Sequence, residues 1–366
     1  MLNTGTNNAN VPALHQFRHN FLDLKRTQRL RNREAAQALG VSEGEALAAF
    51  VGEHVIRLEP NFIELFEEIP QLGAVLALTR NDAAVHEKDG AYEHMSHDGS
   101  VGLALGEAID LRIFYGNWAS GFAVLEPLHE EIQHNVQKSL QFFDAQGRAV
   151  HKVFLRPHSN HDAFDDLVIR WQMHDQTHDY ADSLKPETAP ATMQPDSAID
   201  VSGFHAAWNA MTDTHQFFGL LRKFHLTRTQ ALRLAERRYA EPVAVDALEY
   251  VLRRAAEIKL PIMIFVSNHG MIQIHTGQVN NIRVMGPWLN IIDPGFNLHV
   301  RADMIASIWL VRKPSDDGIV TSLELFDANG VNIAMLFGAR KPGTPELEGW
   351  RKLTAELESR PNGASA

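Results

Sequence analysis

Among the 19 histidines of the chain, His215 stands where an imidazole could bind a metal ion. The helix predicted after it has an apolar stripe with helical spacing: Phe217, Leu220, Leu221 and Phe224. His215 lies off this stripe, on a face with Phe218 and Arg222, and a place in the first helical turn favours the neutral ring. Asp213 and Gln216 predict a weak capping box at this helix start. The alternative for His215 is an ordinary structural histidine.

The composition limits the other chemistry that the chain could support. It contains no cysteine, which excludes disulfides, cysteine nucleophiles, iron–sulfur clusters and thiolate metal ligands. The 45 acidic residues outnumber the 34 basic ones, and a net charge of −11 argues against general nucleic-acid binding. The first residues lack the pattern of a secretion signal, and no apolar run is long enough to span a bilayer, so we expect a cytoplasmic protein.

One segment departs from this acidic balance. Between Leu221 and Arg238 the single acid Glu236 is accompanied by six basic residues: Arg222, Lys223, Arg228, Arg233, Arg237 and Arg238. The segment predicts a cationic face in the second half of the chain, where an anionic ligand could bind. The alternative is a helix face whose charges are simply solvated.

Two pairs of histidines offer a different metal site. His158 and His161 are three residues apart, and His174 and His178 are four apart. On a helix, either spacing places two imidazoles on one face, as zinc sites use. All four lie near a polar segment rich in aspartate, so exposed loop histidines are the competing interpretation.

A helix-turn-helix is the second alternative. The segment from Arg33 to Leu47 resembles the turn of such a motif, which would indicate DNA binding. Its would-be recognition helix begins with Glu43 and Glu45, which would repel phosphates. Because a similar helical pair recurs between Phe224 and Leu232, a structural helix hairpin is the better interpretation.

The chain contains two copies of one ancestral sequence. A shift of 187 positions aligns residues 81–127 with 268–314, and a shift of 183 aligns 139–154 with 322–337. The change of offset places a four-residue insertion between residues 127 and 139 of the first copy, where a loop would tolerate it. The helical part repeats at a shift of 185.

Each copy opens with helical periodicity and closes with short alternating runs separated by Gly, Asn and Asp. This predicts an α+β tandem duplication in which each half has a helical segment and a large antiparallel sheet, with a cleft between the halves. Asp144-Ala-Gln-Gly147 and Asp327-Ala-Asn-Gly330 predict β-hairpins. The polar segment 175–201, with three prolines, predicts a linker between an N-terminal repeat (1–174) and a C-terminal repeat (202–366).

The two copies have diverged at positions that matter for binding. Three repeat pairs, written with the first-copy residue first, change character: Leu30 and His215, Glu43 and Arg228, Glu126 and Lys313. Two acids are thus replaced by bases, which favours an anion site in the second half.

An ordered set of motifs carries a family resemblance: Met211-Thr-Asp-Thr-His-Gln-Phe-Phe-Gly-Leu-Leu-Arg-Lys223, Leu226-Thr-Arg-Thr-Gln-Ala231, Asp110-Leu-Arg-Ile-Phe114 and the two Phe-Asp-Ala-x-Gly hairpins. Together they resemble the cytoplasmic hemin transport or hemin-degrading proteins of Gram-negative haem-uptake systems. The resemblance covers nearly the whole chain outside the termini and the linker.

The resemblance implies one haem in the cleft between the halves, with the iron held by His215. It implies that Arg112 approaches the opposite haem face from the N-terminal half, with Phe114 nearby. The remaining implied residues are cationic groups around the pocket and apolar walls: Arg228, Lys313, Arg340, Phe265 and Phe337. His86 is a candidate for a second haem contact from the first half, with a surface or turn histidine as the alternative.

One motif departs from the family pattern. The last strand of such proteins commonly contains Gln-x-Tyr-Gly-x-Arg, whereas this chain has Met335-Leu-Phe-Gly-Ala-Arg340. The amide and the phenol are both missing, so we expect fewer hydrogen bonds at that edge of the pocket. Ligation through His215 does not depend on them.

The resemblance leaves two functions open. The protein could carry haem from an inner-membrane haem transporter to a haem oxygenase, for which reversible ligation by one histidine is suited. It could also open the macrocycle itself, with Arg112 as the catalytic residue that supplies positive charge near oxygen bound at the iron. The chain has no G-x-G-x-x-G dinucleotide motif, so the reductant would come from outside. A homodimer is compatible with either function.

Overall fold

The computed structural model describes residues 11–127, 136–180, 184–185, 193–341, 343–358 and 360. The helices in this part of the chain are α1 (Val11–Gln28), α2 (Asn32–Ala38), α3 (Glu43–Ala48), α4 (Phe62–Glu68), α5 (His161–Trp171), α6 (Val201–Asn209), α7 (Gln216–Lys223), α8 (Arg228–Leu234), α9 (Ala247–Glu257) and α10 (Glu348–Glu358). None of these helices has the length and apolar character needed to cross a membrane.

The strands of the first copy are β1 (Val55–Leu58), β2 (Val75–Arg80), β3 (Ala84–Gly90), β4 (Ser96–Asp98), β5 (Val101–Leu105), β6 (Asp110–Phe114), β7 (Ser120–Pro127), β8 (Val136–Phe143) and β9 (Ala149–Leu155). Those of the second copy are β10 (Ala240–Val243), β11 (Ile262–Ser267), β12 (Met271–Gly277), β13 (Ile282–Met285), β14 (Trp288–Asp293), β15 (Phe296–Arg301), β16 (Ser307–Ser315), β17 (Gly318–Phe326) and β18 (Asn332–Gly338). The predicted α+β duplication with large antiparallel sheets is therefore confirmed.

The two copies exchange three strands each. The N-sheet has the order β1-β7-β8-β9-β2-β3-β15-β14-β13, and the C-sheet has the order β10-β16-β17-β18-β11-β12-β6-β5-β4. Strands β4–β6 of the first copy thus complete the sheet of the second copy, and β13–β15 complete that of the first. Alternation within each strand is visible in the sequence, but the partner of an edge strand is not, because any exposed edge offers the same backbone groups.

A pseudo-twofold axis relates the copies, and a pair of equivalent asparagines marks it. The side-chain amide of Asn81 donates to the carbonyls of Ser267 (3.0 Å) and Ile333 (2.8 Å). The amide of Asn268, its repeat partner, donates to the carbonyls of Arg80 (2.9 Å) and Val150 (2.8 Å). The acceptors are themselves related by the shifts of 187 and 183 positions, so the structure confirms this alignment.

The two predicted hairpins have matching turns. Asp144 accepts backbone N–H groups of Gln146 and Arg148 through one carboxylate oxygen, both at 2.9 Å. Asp327 accepts those of Asn329 and Val331 in the same way. Gly147 (φ +71°) and Gly330 (φ +77°) occupy the left-handed region that the turns require. The predicted insertion falls between β7 and β8, where residues 128–135 lie outside the described part.

The inner faces of the sheets meet in a buried polar cluster. Lys88 Nζ lies 3.0 Å from Nδ1 of His275, its own repeat partner, and the His275 ring stacks on Phe296 at 3.7 Å between centroids. His86 is fully buried in the same region, as is Gln273. The surface or turn placement of His86 is therefore wrong, because strand β3 directs this side chain toward the inner face. Both ring nitrogens are buried there, so the structure does not support His86 as a haem contact either.

The helical hairpin α2–α3 is structural. Glu43 at the start of α3 is buried and bonded to Lys152, and Ala46, Leu47 and Ala48 are also buried. A helix of six residues with this face in the core has no surface left for a DNA groove.

The division at residues 175–201 remains a prediction. Tyr180, within the predicted linker, is buried and shares a hydrogen bond of 2.7 Å with Ser120. Residues 181–183 and 186–192 lie outside the described residues.

Candidate functional site

Most of the residues that the sequence singled out share the outer face of the C-sheet, the face turned away from the N-sheet. Cross-strand pairs define this face: Arg112 opposite Ile272, Phe265 opposite Met335, and Met335 opposite Glu324. Phe114 follows Arg112 by two residues, and Phe337 follows Met335 by two, so both point the same way. The strand exchange therefore brings a first-copy arginine onto the sheet of the second copy.

Arg112 is held in place by its own strand. Its Nη1 donates to Asp110 Oδ1 and to the Leu111 carbonyl (3.1 Å), and its side chain is 35% exposed. Leu111 and Ile113, which alternate with it, are buried on the inner face. The guanidinium is thus pre-oriented on the outer face but still accessible.

Apolar side chains extend across this face on both sides of Arg112. Phe265 and Phe337 are partly buried, and their ring centroids are 5.0 Å apart with the rings edge to face. Val101 and Leu105 on β5 are 44% and 45% exposed. Strands β11 and β6 are two strand spacings apart, roughly 10 Å. A flat apolar ligand could therefore contact the Phe265–Phe337 pair and Arg112 together.

Helices α6, α7 and α8 cover the β16–β18 side of the outer face. Phe217 of α7 is the anchor: it packs edge to face on Trp208 at 4.9 Å. Lys313 Nζ lies 4.8 Å and Arg228 Cζ 5.3 Å from the Phe217 ring centroid. The Arg228 guanidinium also lies 5.7 Å from the ring of Phe218. Through Lys313, these contacts hold α7 against strand β16 on the outer face.

His215 is the N-cap of α7, and its side chain is 90% exposed. Its Nδ1 lies 2.7 Å from Asp213 Oδ1, and the rest of the ring is open to solvent. The predicted capping box is wrong: Asp213 bonds to His215 itself, and the Gln216 amide oxygen accepts the Thr212 N–H at 3.0 Å. The helix starts two residues later than the box requires, because Asp213 closes a local turn.

Arg228 and Lys313 belong to a buried ionic cluster with Glu324. Arg228 donates two hydrogen bonds to this carboxylate (2.7 and 2.8 Å) and Lys313 one (2.7 Å). Burial alone would raise the pKa of Glu324, but the charges of Arg228 and Lys313 outweigh it and hold this pKa below its ordinary value. The two cations that the sequence assigned to a ligand are therefore already neutralised in part by a carboxylate.

Sequence reasoning missed Glu324. A signal was present: Arg228 replaces Glu43, and a base that replaces a buried acid needs a new acid nearby. Glu324 is that acid. It stands at the repeat position of Gln141, between Leu323 and Leu325.

Arg340 and the basic segment show the same pairing. Arg340 donates to Asp317 (2.7 Å), and its charge also contributes to lowering the pKa of Asp213, so it lies near His215. Three other basic residues of the segment pair with acids: Arg233, Arg237 and Arg238. Arg222 is exposed on the His215 side of α7 and forms no ion pair with any residue in the described ranges.

The histidine pairs do not form a metal site. His158 precedes α5 and is exposed, whereas His161 bonds to the Arg156 carbonyl (3.1 Å). His174 and His178 lie in irregular chain, so their spacing does not give a shared helix face. Among the described residues, no group of three or more His, Asp and Glu side chains could hold a metal ion.

A separate cavity of about 680 Å³ lies at the hairpin turns where the copies meet. Polar side chains line it, including Arg33, Arg80, Arg148 and Asp327. Arg33 and Arg80 are paired with Asp82 and Glu43, respectively. None of the predicted ligand-binding residues lines this cavity, and the outer face has the chemistry that suits a large apolar ligand.

Comparisons with known proteins give a family match over most of the chain. The family model described as the haemin-degrading HemS/ChuX domain matches residues 40–171 and 225–357. The hemin transport protein HmuS of Yersinia pestis is 39% identical over 326 residues, 89% of this chain and 92% of that protein.

Two solved structures are similar over nearly the whole chain. Holo-PhuS, a haem-binding protein from Pseudomonas aeruginosa, has a TM-score of 0.90 and 44% identity, covering 94% of this chain and 99% of that one. ChuS, a haem-degrading enzyme of Escherichia coli O157:H7, has a TM-score of 0.86 and 35% identity, with the same coverage.

Proposed function

Because the chain belongs to the haemin-degrading HemS/ChuX family, we propose that it binds one haem on the outer face of the C-sheet. In this proposal the predicted cleft between the halves lies between helix α7 of the second copy and the exchanged strand β6 of the first. In this proposal His215 ligates the iron, and the protein accepts imported haem in the cytoplasm and delivers it for iron release. Haem is the cargo, so binding has to be reversible.

The observation that carries the proposal is the setting of His215. An imidazole that is 90% exposed, with Nδ1 occupied by a carboxylate and Nε2 unobstructed, is suited to ligation of a metal that arrives from solution. A single protein ligand on an exposed helix start also permits release.

The rest of the face supports the same ligand. Phe265 and Phe337 offer an apolar surface for the porphyrin, and Arg112 offers a guanidinium on the far side. Haem has two propionates, which need cationic partners. Arg222 is a better candidate for that contact than Arg228 and Lys313, which Glu324 already engages. Arg340 is the second candidate because it lies near His215, although it pairs with Asp317.

Ring opening is the second candidate function. It is favoured by the fixed, accessible guanidinium of Arg112, which could stabilise negative charge that develops above the iron. Arg112 is the catalytic residue of this proposal. Dioxygen would supply the oxygen atoms, and an external reductant would supply the electrons.

The partners remain proposals. An inner-membrane haem transporter is the expected donor of haem, and a haem oxygenase is the expected recipient. A homodimer is compatible with both interactions. Pull-down with each candidate in the presence and absence of hemin would identify the partner.

The test is a hemin titration of wild type, His215→Ala and His174→Ala, followed in the Soret region. We expect saturable one-to-one spectra from wild type and from His174→Ala, which changes an exposed histidine outside the site. His215→Ala is expected to lose or alter the spectrum. Identical spectra from all three would contradict ligation by His215, and adding ascorbate to the wild-type complex would test ring opening.

A further inference from the structure

Asp213 contacts His215 twice. Its Oδ1 accepts the His215 backbone N–H and lies equally close, at 2.7 Å, to Nδ1 of the ring. An oxygen that accepts the backbone N–H of His215 acts as an acceptor toward the ring as well. An ionised carboxylate only accepts, so Nδ1 must carry the proton and Nε2 the free lone pair.

The turn that carries Asp213 is itself fixed. The Gln216 side chain accepts from Thr212 N–H (3.0 Å) and donates to Thr212 Oγ1 (3.2 Å). The Thr212 carbonyl accepts the Asp316 N–H at 2.8 Å, which ties the turn to the β16–β17 hairpin. Asp213 is therefore held beside the ring before any ligand arrives, although it is 57% exposed.

We propose that Asp213 is a positioning residue that fixes the tautomer and orientation of His215 and strengthens the donation of Nε2 to the haem iron. The inference rests on the proposed function, since it assumes that His215 is the ligand. When a carboxylate accepts a hydrogen bond from the ring nitrogen that does not bind the metal, it orients the imidazole and raises its basicity.

A purely structural role for Asp213 makes a different prediction. If the residue only closed the turn before α7, its substitution would change stability but not the electronic state of the iron. Asp200 offers the matched control, because it caps α6 through the Gly203 N–H (2.9 Å) without contacting a histidine.

The experiment compares Asp213→Asn, Asp213→Ala, Asp213→Glu and the control Asp200→Asn in two ways. Nitrogen NMR of the apo-protein reports the His215 tautomer, which we expect to be Nδ1–H in wild type and mixed in Asp213→Ala. In the ferrous complex, we expect Asp213→Asn to lower the iron–histidine stretching frequency and raise the reduction potential. We expect hemin affinity to fall about tenfold in Asp213→Asn and by up to about 100-fold in Asp213→Ala.

Partial recovery in Asp213→Glu and wild-type values in Asp200→Asn would support the inference. An unchanged frequency and potential in Asp213→Asn, together with loss of hemin binding in His215→Ala, would overturn the role of Asp213 and leave the proposed function standing. Hemin binding by His215→Ala with wild-type spectra would overturn both.

Discussion

A similar buried ionic cluster lies on the outer face of each of the two sheets. On the C-sheet, Glu324 lies between Arg228 and Lys313. Over the N-sheet, Glu43 lies between Lys152 (2.6 Å) and Arg80. Each cluster has one carboxylate and two cations, although the helix contributes the base in one copy and the acid in the other.

This comparison corrects an inference from the sequence. The replacements of Glu43 by Arg228 and of Glu126 by Lys313 favour a more cationic second half, yet the two clusters have the same net charge because Glu324 and Lys152 compensate. What distinguishes the copies is the exposed His215. Leu30, its counterpart, packs partly buried against the core of the first half. Under the proposed function, one side chain at a helix start, and not a cationic cluster, distinguishes the copy that binds haem.

Removal of the central carboxylate is the strongest test of this equivalence. Glu324→Gln leaves two buried cations without their acid, and we expect the free energy of unfolding to fall by about 3–5 kcal/mol. Glu43→Gln is the matched variant, and chemical denaturation of both should give similar losses. A loss confined to Glu43→Gln would show that the C-sheet cluster is not the counterpart of the first.

The pH dependence of stability tests the buried polar cluster where the inner faces of the two sheets meet. Burial first, and then the charge of Lys88, lower the pKa of His275 to about 3. Because this folded-state pKa lies below the unfolded value of about 6.5, the unfolded chain takes up the proton first, and stability is lost as pH falls from about 6.5 toward 3. Between pH 6.5 and 5 this single group should contribute a loss of about 2 kcal/mol.

His275→Gln keeps an acceptor for Lys88 but removes the titration. The free energy of unfolding, measured from pH 7.5 to 5, should therefore depend less steeply on pH in this variant. The difference in slope corresponds to nearly one bound proton. His86, His151 and His275 are all buried with lowered pKa values, so the variant retains part of the slope. An unchanged slope would contradict a neutral His275 in the folded state.

Local patterns and the internal repeat were enough to predict much of the fold and some features of the site. Alternation predicted the sheets, Asp-Ala-x-Gly predicted the hairpins, and the break in helical periodicity left His215 off the core stripe. The strand exchange was not predictable, because β4–β6 have the same local pattern whichever sheet they join. The pairing of Arg228 with Glu324 was missed for a different reason: it depends on how helix α8 packs against strand β17, 96 residues further along the chain.

Substitution of Arg112 tests whether the exchange of strands between the sheets contributes to the proposed haem site. It is a first-copy residue that reaches the C-sheet only because β6 changes sheets, and its guanidinium is accessible. We expect Arg112→Ala to weaken hemin binding about tenfold, the loss of one charge-assisted hydrogen bond, with Arg112→Lys in between. Arg253→Ala, an exposed arginine of α9, is the control. Equal affinities in all variants would place haem away from this strand.

The smallest effect is expected at Arg222, the counterpart of Gln37 in the first copy. It shares a helix face with His215 and Phe218, and it forms no ion pair among the residues for which coordinates are described, so a propionate would be its first anionic partner. An exposed pair of this kind is screened by water and salt, so Arg222→Ala should weaken hemin binding only about threefold.

The salt dependence separates this contribution from the others. The difference between wild type and Arg222→Ala should shrink as ionic strength rises, because the Debye length falls to about 3 Å at 1 M salt. Arg26→Ala, an exposed arginine of α1 in the first copy, should have no effect at any salt concentration. A difference in hemin affinity that persists at 1 M salt would mean that Arg222 acts by packing against the porphyrin edge. No difference at low salt would leave Arg340 as the remaining propionate partner. The asymmetry between the copies would then be confined to His215.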